Sequence, residues 1–201
     1  MRRVVTAARY VVAAAMLAAI AWSLVRSVQA GTFQFFNFFG YFTIQNNLIG
    51  AAALLVAAPR TGLARPPWVE YLRACAATYL FIVVAVYWTL LAPGSEDPVV
   101  EWTNLVLHGL SGVALVADWL IEGPRTRLPL RTVWLVLAYP CVWAVVVLIR
   151  GATDGWFPYP FLDPANGYAS IAAVIAAIFV VGLAVGSLFF STTRWRVVVP
   201  A

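Results

Sequence analysis

The chain has 201 residues, of which 63% are hydrophobic and 10% charged, with a formal net charge of +5 and a mean hydropathy of +0.88. Soluble domains carry about a quarter charged residues, so this balance excludes a water-soluble globular protein and points to an integral membrane protein, one domain at this length. All 13 basic residues are arginine and no basic run is interleaved with aromatics, so the charge reads as a topology signal and no nucleic-acid partner is expected.

A membrane-crossing helix needs about 20 apolar residues. Six such runs occur, at about 4–26, 38–58, 69–91, 101–121, 131–149 and 167–191, which predicts an all-α bundle of six transmembrane helices forming a single domain over 1–201. The first run follows Met-Arg-Arg and ends near V-Q-A at 28–30, a pattern shared with cleaved signal peptides; its length and the interruption at Arg9 favour a retained span. The second carries F-G-Y-F-T-I-Q-N-N-L-I-G at 39–50 and stops at Pro59, Arg60, Gly62, Pro66 and Pro67. The third contains Cys75 and Tyr87 and gives way to Pro93, Gly94, Glu96, Asp97 and Pro98. The fourth opens E-W-T-N-L-V-L-H-G-L-S-G from Glu101 and ends at Gly123, Pro124, Arg125 and Arg127. The fifth contains Cys141, and the longest loop, R-G-A-T-D-G-W-F-P-Y-P-F-L-D-P-A-N at 150–166, leads into the sixth. Both cysteines are read as small buried hydrophobes, since neither spacing nor number fits a disulfide framework or a metal site. The two halves share no matching motif, which argues against an inverted-repeat transporter.

Arginines alternate between the two ends of the bundle. Arg2, Arg3, Arg9, Arg60, Arg65, Arg73, Arg125, Arg127, Arg131, Arg194 and Arg196 fall on one side; only Arg26 and Arg150 fall on the other. The asymmetry requires an even number of spans and predicts that both termini are cytoplasmic. The loops near 27–37, 92–100 and 150–166 then face outward.

Polar groups at membrane depth are costly and mark function by default. In the second span Thr43, Asn46 and Asn47 share one helical face with Gly50, while Gln45 points elsewhere and reads as an interhelical contact. In the fourth, Glu101, Asn104, His108, Ser111 and Gly112 share a broad stripe, and His108 is the sole histidine. Counted from the outer surface, Thr43 lies about 8 Å deep and His108 about 10 Å deep. A hydroxyl and an imidazole at matching depth suggest nucleophilic catalysis: a threonine hydroxyl needs a base, and neutral imidazole is the usual one. Asn46 or Asn47 would then stabilise an oxyanion, and Asn104, one turn before His108, would orient the ring. Glu101 is about 10 Å away along the axis, so Asp154 or Asp163 of the outer loop is the alternative orienter. Tyr87 is either a substrate-carbonyl donor or an interfacial aromatic; Trp102, Trp156 and Tyr159 read as belt residues. Asp118 is about 15 Å deeper than His108 and is expected to pair with an inner arginine.

The competing interpretations use the same residues. Thr and Asn are common glue between membrane helices. A small-molecule or lipid transporter or binding protein would use the same polar cavity, but the inner halves of the spans show few polar residues for a through-path. No cofactor is implied: a single histidine supplies neither a bis-histidine haem nor a three-ligand zinc site. A serine–histidine protease would rest on Ser111, and no G-x-S-x-G occurs.

The stretches F-F-G-Y-F-T-I-Q-N-N-L, V-A-V-Y-W, W-T-N-L-V-L-H-G-L and W-F-P-Y-P-F-L-D-P, in this order, resemble a bacterial branch of six-pass membrane proteins similar to the androgen-induced-gene family of animals. The resemblance implies a six-span membrane hydrolase of fatty acid esters of hydroxy fatty acids. Its threonine in the second span falls on Thr43 and its histidine in the fourth on His108. It implies a lipid or fatty-ester partner in a bacterial cytoplasmic membrane, and leaves the lipid itself and the oligomeric state open. The W-F-P-Y-P-F-L-D-P stretch belongs to the bacterial branch and carries no animal role.

Overall fold

Six apolar runs become six helices, each long and apolar enough to cross a membrane: α1 (Arg2–Gln29), α2 (Phe42–Arg60), α3 (Pro67–Leu91), α4 (Trp102–Ile121), α5 (Leu130–Thr153) and α6 (Tyr168–Ser191). The computed structural model describes residues 1–94 and 101–192, and no strand occurs among them. Glu96, Asp97 and Pro98 of the third loop, and Arg194 and Arg196 of the arginine asymmetry, lie outside the described residues. Pro67 starts α3, where its missing N–H would lack a helical partner anyway.

The second span starts later than its apolar pattern suggests. A short helical turn, Phe35–Phe38, precedes it, and α2 begins only at Phe42. Gly40 imposes the break. A Cβ there would lie 2.5 Å from Phe36 O and 2.5 Å from Trp156 Cη2. Its carbonyl accepts a hydrogen bond from Trp143 Nε1 at 2.9 Å.

α3 is the central helix, packed against α2, α4, α5 and α6, while α1 lies against α2 and α4. Small residues allow the close approaches, as is usual between membrane helices. A Cβ on Gly50 of α2 would meet Leu80 Cδ1 at 2.5 Å and Met16 Cε at 2.9 Å. One on Gly112 of α4 would lie 2.8 Å from the Leu80 carbonyl. Met16, Leu54, Leu80, Leu115 and Trp119 fill the space between these helices. Cys75 is half-buried, but Cys141 faces outward rather than into the core.

At the end of the bundle away from the 154–167 loop lies a buried charge cluster. Asp118 takes Arg9 and Arg73, each at 2.6 Å. Glu70 takes Arg65 and Arg73, each at 2.9 Å. Glu122 takes Arg9 at 2.7 Å, Arg65 at 2.9 Å and Arg125 at 2.8 Å. Arg73 also donates to the Asp118 and Glu122 carbonyls, closing the C-terminal turn of α4. The expected pairing of Asp118 with arginine is therefore present. The reading that this end holds few polar groups is overturned: its charges are numerous and paired with one another. Four arginines of the topological asymmetry, Arg9, Arg65, Arg73 and Arg125, are spent on pairing inside the protein. Burial raises the Glu122 carboxyl, but the Gly62 N–H and the charges of Arg65 and Arg9 outweigh it and hold Glu122 at about 2.

Candidate active site

The late start of α2 puts Thr43 in its first turn, where backbone N–H groups have no intrahelical acceptor. The Thr43 N–H donates instead to the Tyr159 hydroxyl, at 3.3 Å. Thr43 is 7% exposed. Its Oγ1 lies 3.2 Å from His108 Nε2 and 3.5 Å from Tyr159 Oη.

His108 sits in a widened, π-helical turn of α4, Val106–Leu110, and Tyr87 starts a second such turn, Tyr87–Leu91, at the end of α3. Such turns are rare and concentrate at functional sites, because they release carbonyls from the regular ladder. The carbonyls here have side-chain partners. Leu107 O accepts from Asn47 Nδ2 at 3.1 Å and from Ser111 Oγ at 3.1 Å. His108 O accepts from Trp88 Nε1 at 2.9 Å. Asn47 thus fastens α2 directly to the turn that carries the imidazole.

The imidazole is oriented by an amide. Asn104 Oδ1 lies 2.5 Å from His108 Nδ1, and Asn104 Nδ2 donates to the Tyr87 hydroxyl. An amide oxygen can only accept, so the ring hydrogen is assigned to Nδ1 and the Nε2 lone pair faces Thr43. The Tyr87 ring stacks on the imidazole, with centroids 4.0 Å apart and planes at 22°.

The residues singled out in the sequence fall into three groups. Thr43, His108, Asn104 and Tyr87 are brought together; the Tyr87 ring stacks on the imidazole, its hydroxyl accepts from Asn104, and it lines the crevice. Asn46 and Asn47 adjoin the site but are not placed as oxyanion donors: Asn46 Nδ2 donates to Phe42 O, and Asn47 Nδ2 to Thr43 O and Leu107 O. Asp154 and Asp163 do not reach it. Asp154 is exposed and accepts from the Trp156 N–H and Arg150, which hold its carboxyl below the usual range. Asp163 caps the turn Pro164–Asn166 through the Ala165 N–H. Glu101 pairs with Arg26 at 3.3 Å. Gln45 is the interhelical contact expected, accepting from Tyr139 Oη at 2.6 Å and donating to Phe39 O at 2.7 Å.

Tyr159 is the residue that the sequence misassigned. The aromatic-rich loop suggested a membrane-interface belt, yet the loop folds back and sets Tyr159 over Thr43, between Tyr41 and Phe161. Burial pushes its hydroxyl up to about 12, against the lowering effect of its bonds with Thr43, so it stays a neutral donor. Trp88 was also missed; an indole at the end of an apolar helix carries no sign that it will hold a histidine carbonyl.

An apolar crevice leads away from Thr43, His108 and Tyr159 between α3, α5 and α6. In it a threonine hydroxyl, an imidazole and a tyrosine hydroxyl meet within an otherwise largely apolar lining. A family model described as FAR-17a/AIG1-like protein matches residues 5–190. No curated protein and no solved structure matches the chain.

Proposed function

The chain belongs to the FAR-17a/AIG1-like family, and on that premise we propose that it is an intramembrane lipid-ester hydrolase with Thr43 as nucleophile and His108 as base. The observation that carries this reading is the 3.2 Å approach of Thr43 Oγ1 to His108 Nε2, with Nδ1 already committed to Asn104.

Thr43 Oγ attacks the ester carbonyl carbon as its proton passes to His108 Nε2. The Tyr159 oxygen accepts from the Thr43 N–H, so its own hydrogen is free for the carbonyl oxygen as charge develops there. The C–O bond to the alcohol then breaks, and the imidazolium returns the proton to the leaving oxygen. Water, deprotonated by His108, attacks the acyl-threonine; the acid leaves and Thr43 regains its hydrogen. Asn104 holds the ring hydrogen on Nδ1 throughout and stabilises the transient imidazolium through its oxygen.

The substrate is a lipid ester, with fatty acid esters of hydroxy fatty acids as the first candidates. The arginine asymmetry supports termini in the cytoplasm and a dyad in the outer half of a bacterial cytoplasmic membrane. The test is turnover of such an ester by purified protein. The unaltered chain releases both acids, and Thr43→Ala and His108→Ala each lower kcat by about a hundred-fold or more. Undiminished turnover in both variants would falsify the reading. Flux of intact lipid into liposomes, without hydrolysis, would support the transporter alternative instead.

A further inference from the structure

The walls of the crevice differ in exposure. Val83, Ala144 and Leu162 form a buried side. Leu91, Ile175 and Ile178 form a half-buried rim along α3 and α6. Beyond that rim α6 turns outward-facing side chains to the surroundings, Val180 being 64% exposed. The inner end is closed where α3, α5 and α6 converge. A Cβ on Gly182 would lie 3.2 Å from Ile82 Cδ1 and 3.7 Å from Leu137 Cδ2, and both of those side chains line the crevice. Ile178 lies about 15 Å along α6 from its first residue, so the channel reaches well into the apolar layer.

His108 is the one residue of α4 in the lining. In hydrolysis the leaving oxygen must face His108 Nε2 to receive its proton, and so must lie on the α4 side. The acyl arm on the other side of the carbonyl then points away from α4, toward α3, α5 and α6. We propose that this crevice holds the acyl arm of the ester, that the arm enters sideways from the bilayer between α3 and α6, and that Ala144 and Ile178 set the acyl length accepted. This rests on the hydrolase reading.

The test is the chain-length profile of purified protein on p-nitrophenyl esters from acetate to palmitate. Ala144→Phe and Ile178→Trp each lower the palmitate-to-butyrate ratio of kcat/KM by about ten-fold, as expected for a few methylenes lost from an apolar pocket. Ile178→Ala moves the preference toward longer chains, which keeps the inference testable where a bulky variant folds poorly. Val180→Phe, on the outward face of the same helix, leaves the ratio unchanged. An unaltered ratio in all three lining variants, with Thr43-dependent hydrolysis intact, overturns the assignment of the crevice while leaving the hydrolase reading standing. Absence of Thr43-dependent hydrolysis of every ester by the unaltered chain overturns both.

Discussion

Asn104 and His108, one turn apart on α4, form an orienting pair in which a neutral amide stands where a carboxylate is usual. The amide oxygen assigns the imidazole hydrogen to Nδ1 without adding a buried negative charge. An anion there would need compensation in a wall that is otherwise apolar.

Replacing Asn104 separates orientation from packing. Asn104→Leu leaves Nδ1 without its acceptor, and kcat falls about ten- to a hundred-fold with KM little changed. Asn104→Asp restores an acceptor and adds a charge that favours the imidazolium, so the acid limb of the pH–rate profile moves to higher pH. A purely structural role for Asn104 predicts no movement of that limb in Asn104→Asp.

Tyr159→Phe keeps the ring, its stacking on Phe161 and the loop, and removes one hydroxyl. If that hydroxyl donates to the oxyanion, kcat falls about a hundred- to a thousand-fold while the thermal midpoint in detergent hardly changes. Near-normal kcat with a lower midpoint would instead make Tyr159 a loop fastener.

Gly40→Ala tests whether the late start of α2 matters to the chemistry. The added Cβ meets a backbone carbonyl and the Trp156 ring, each at 2.5 Å, so the turn must move. Thr43 lies three residues beyond, and a displacement near 1 Å costs up to about a hundred-fold in rate. The measurement is kcat against the midpoint of unfolding: a large loss of kcat in a protein that still unfolds cooperatively is the expected result.

The charge cluster gives a pH dependence of stability. Glu122 is held at about 2, below the ordinary value of 4.5. A depressed carboxyl stabilises the fold fully above its unfolded value, and that contribution is lost as pH falls from about 4.5 toward 2. Thermal midpoints in detergent should therefore drop across that window. Glu122→Gln leaves Arg9, Arg65 and Arg125 facing a neutral group; it costs about 3–5 kcal/mol at neutral pH and flattens the dependence. A midpoint that is level down to about pH 3 in the unaltered chain would contradict the assignment.

The approach of Thr43 to His108 was legible in the sequence because two rules act locally. Polar groups stand out in apolar runs, and helical periodicity with a known rise places Thr43 and His108 at matching depth. Asn104 followed from the same one-turn spacing. What escaped depends on the path of the chain in three dimensions. The start of α2 at Phe42 is set by Gly40 against Trp156, a contact between residues far apart in sequence. Tyr159 became a site residue only because its loop folds back over Thr43. Asp154 and Asp163 hold loop contacts of their own, and the imidazole Nδ1 faces the Asn104 amide on its own helix. Asp118 was expected to pair with one inner arginine, whereas its place in a cluster with Arg9, Arg65, Arg73, Glu70 and Glu122 required the bundle to bring them together.

The central claim is that Thr43 Oγ is a nucleophile activated by His108. Its most direct measurement is labelling of the purified protein with a fluorophosphonate, followed by mass spectrometry of the modified peptide. The account predicts one adduct, on Thr43, absent from Thr43→Ala and strongly reduced in His108→Ala. An adduct on another residue, or equal labelling of Thr43→Ala, would contradict it.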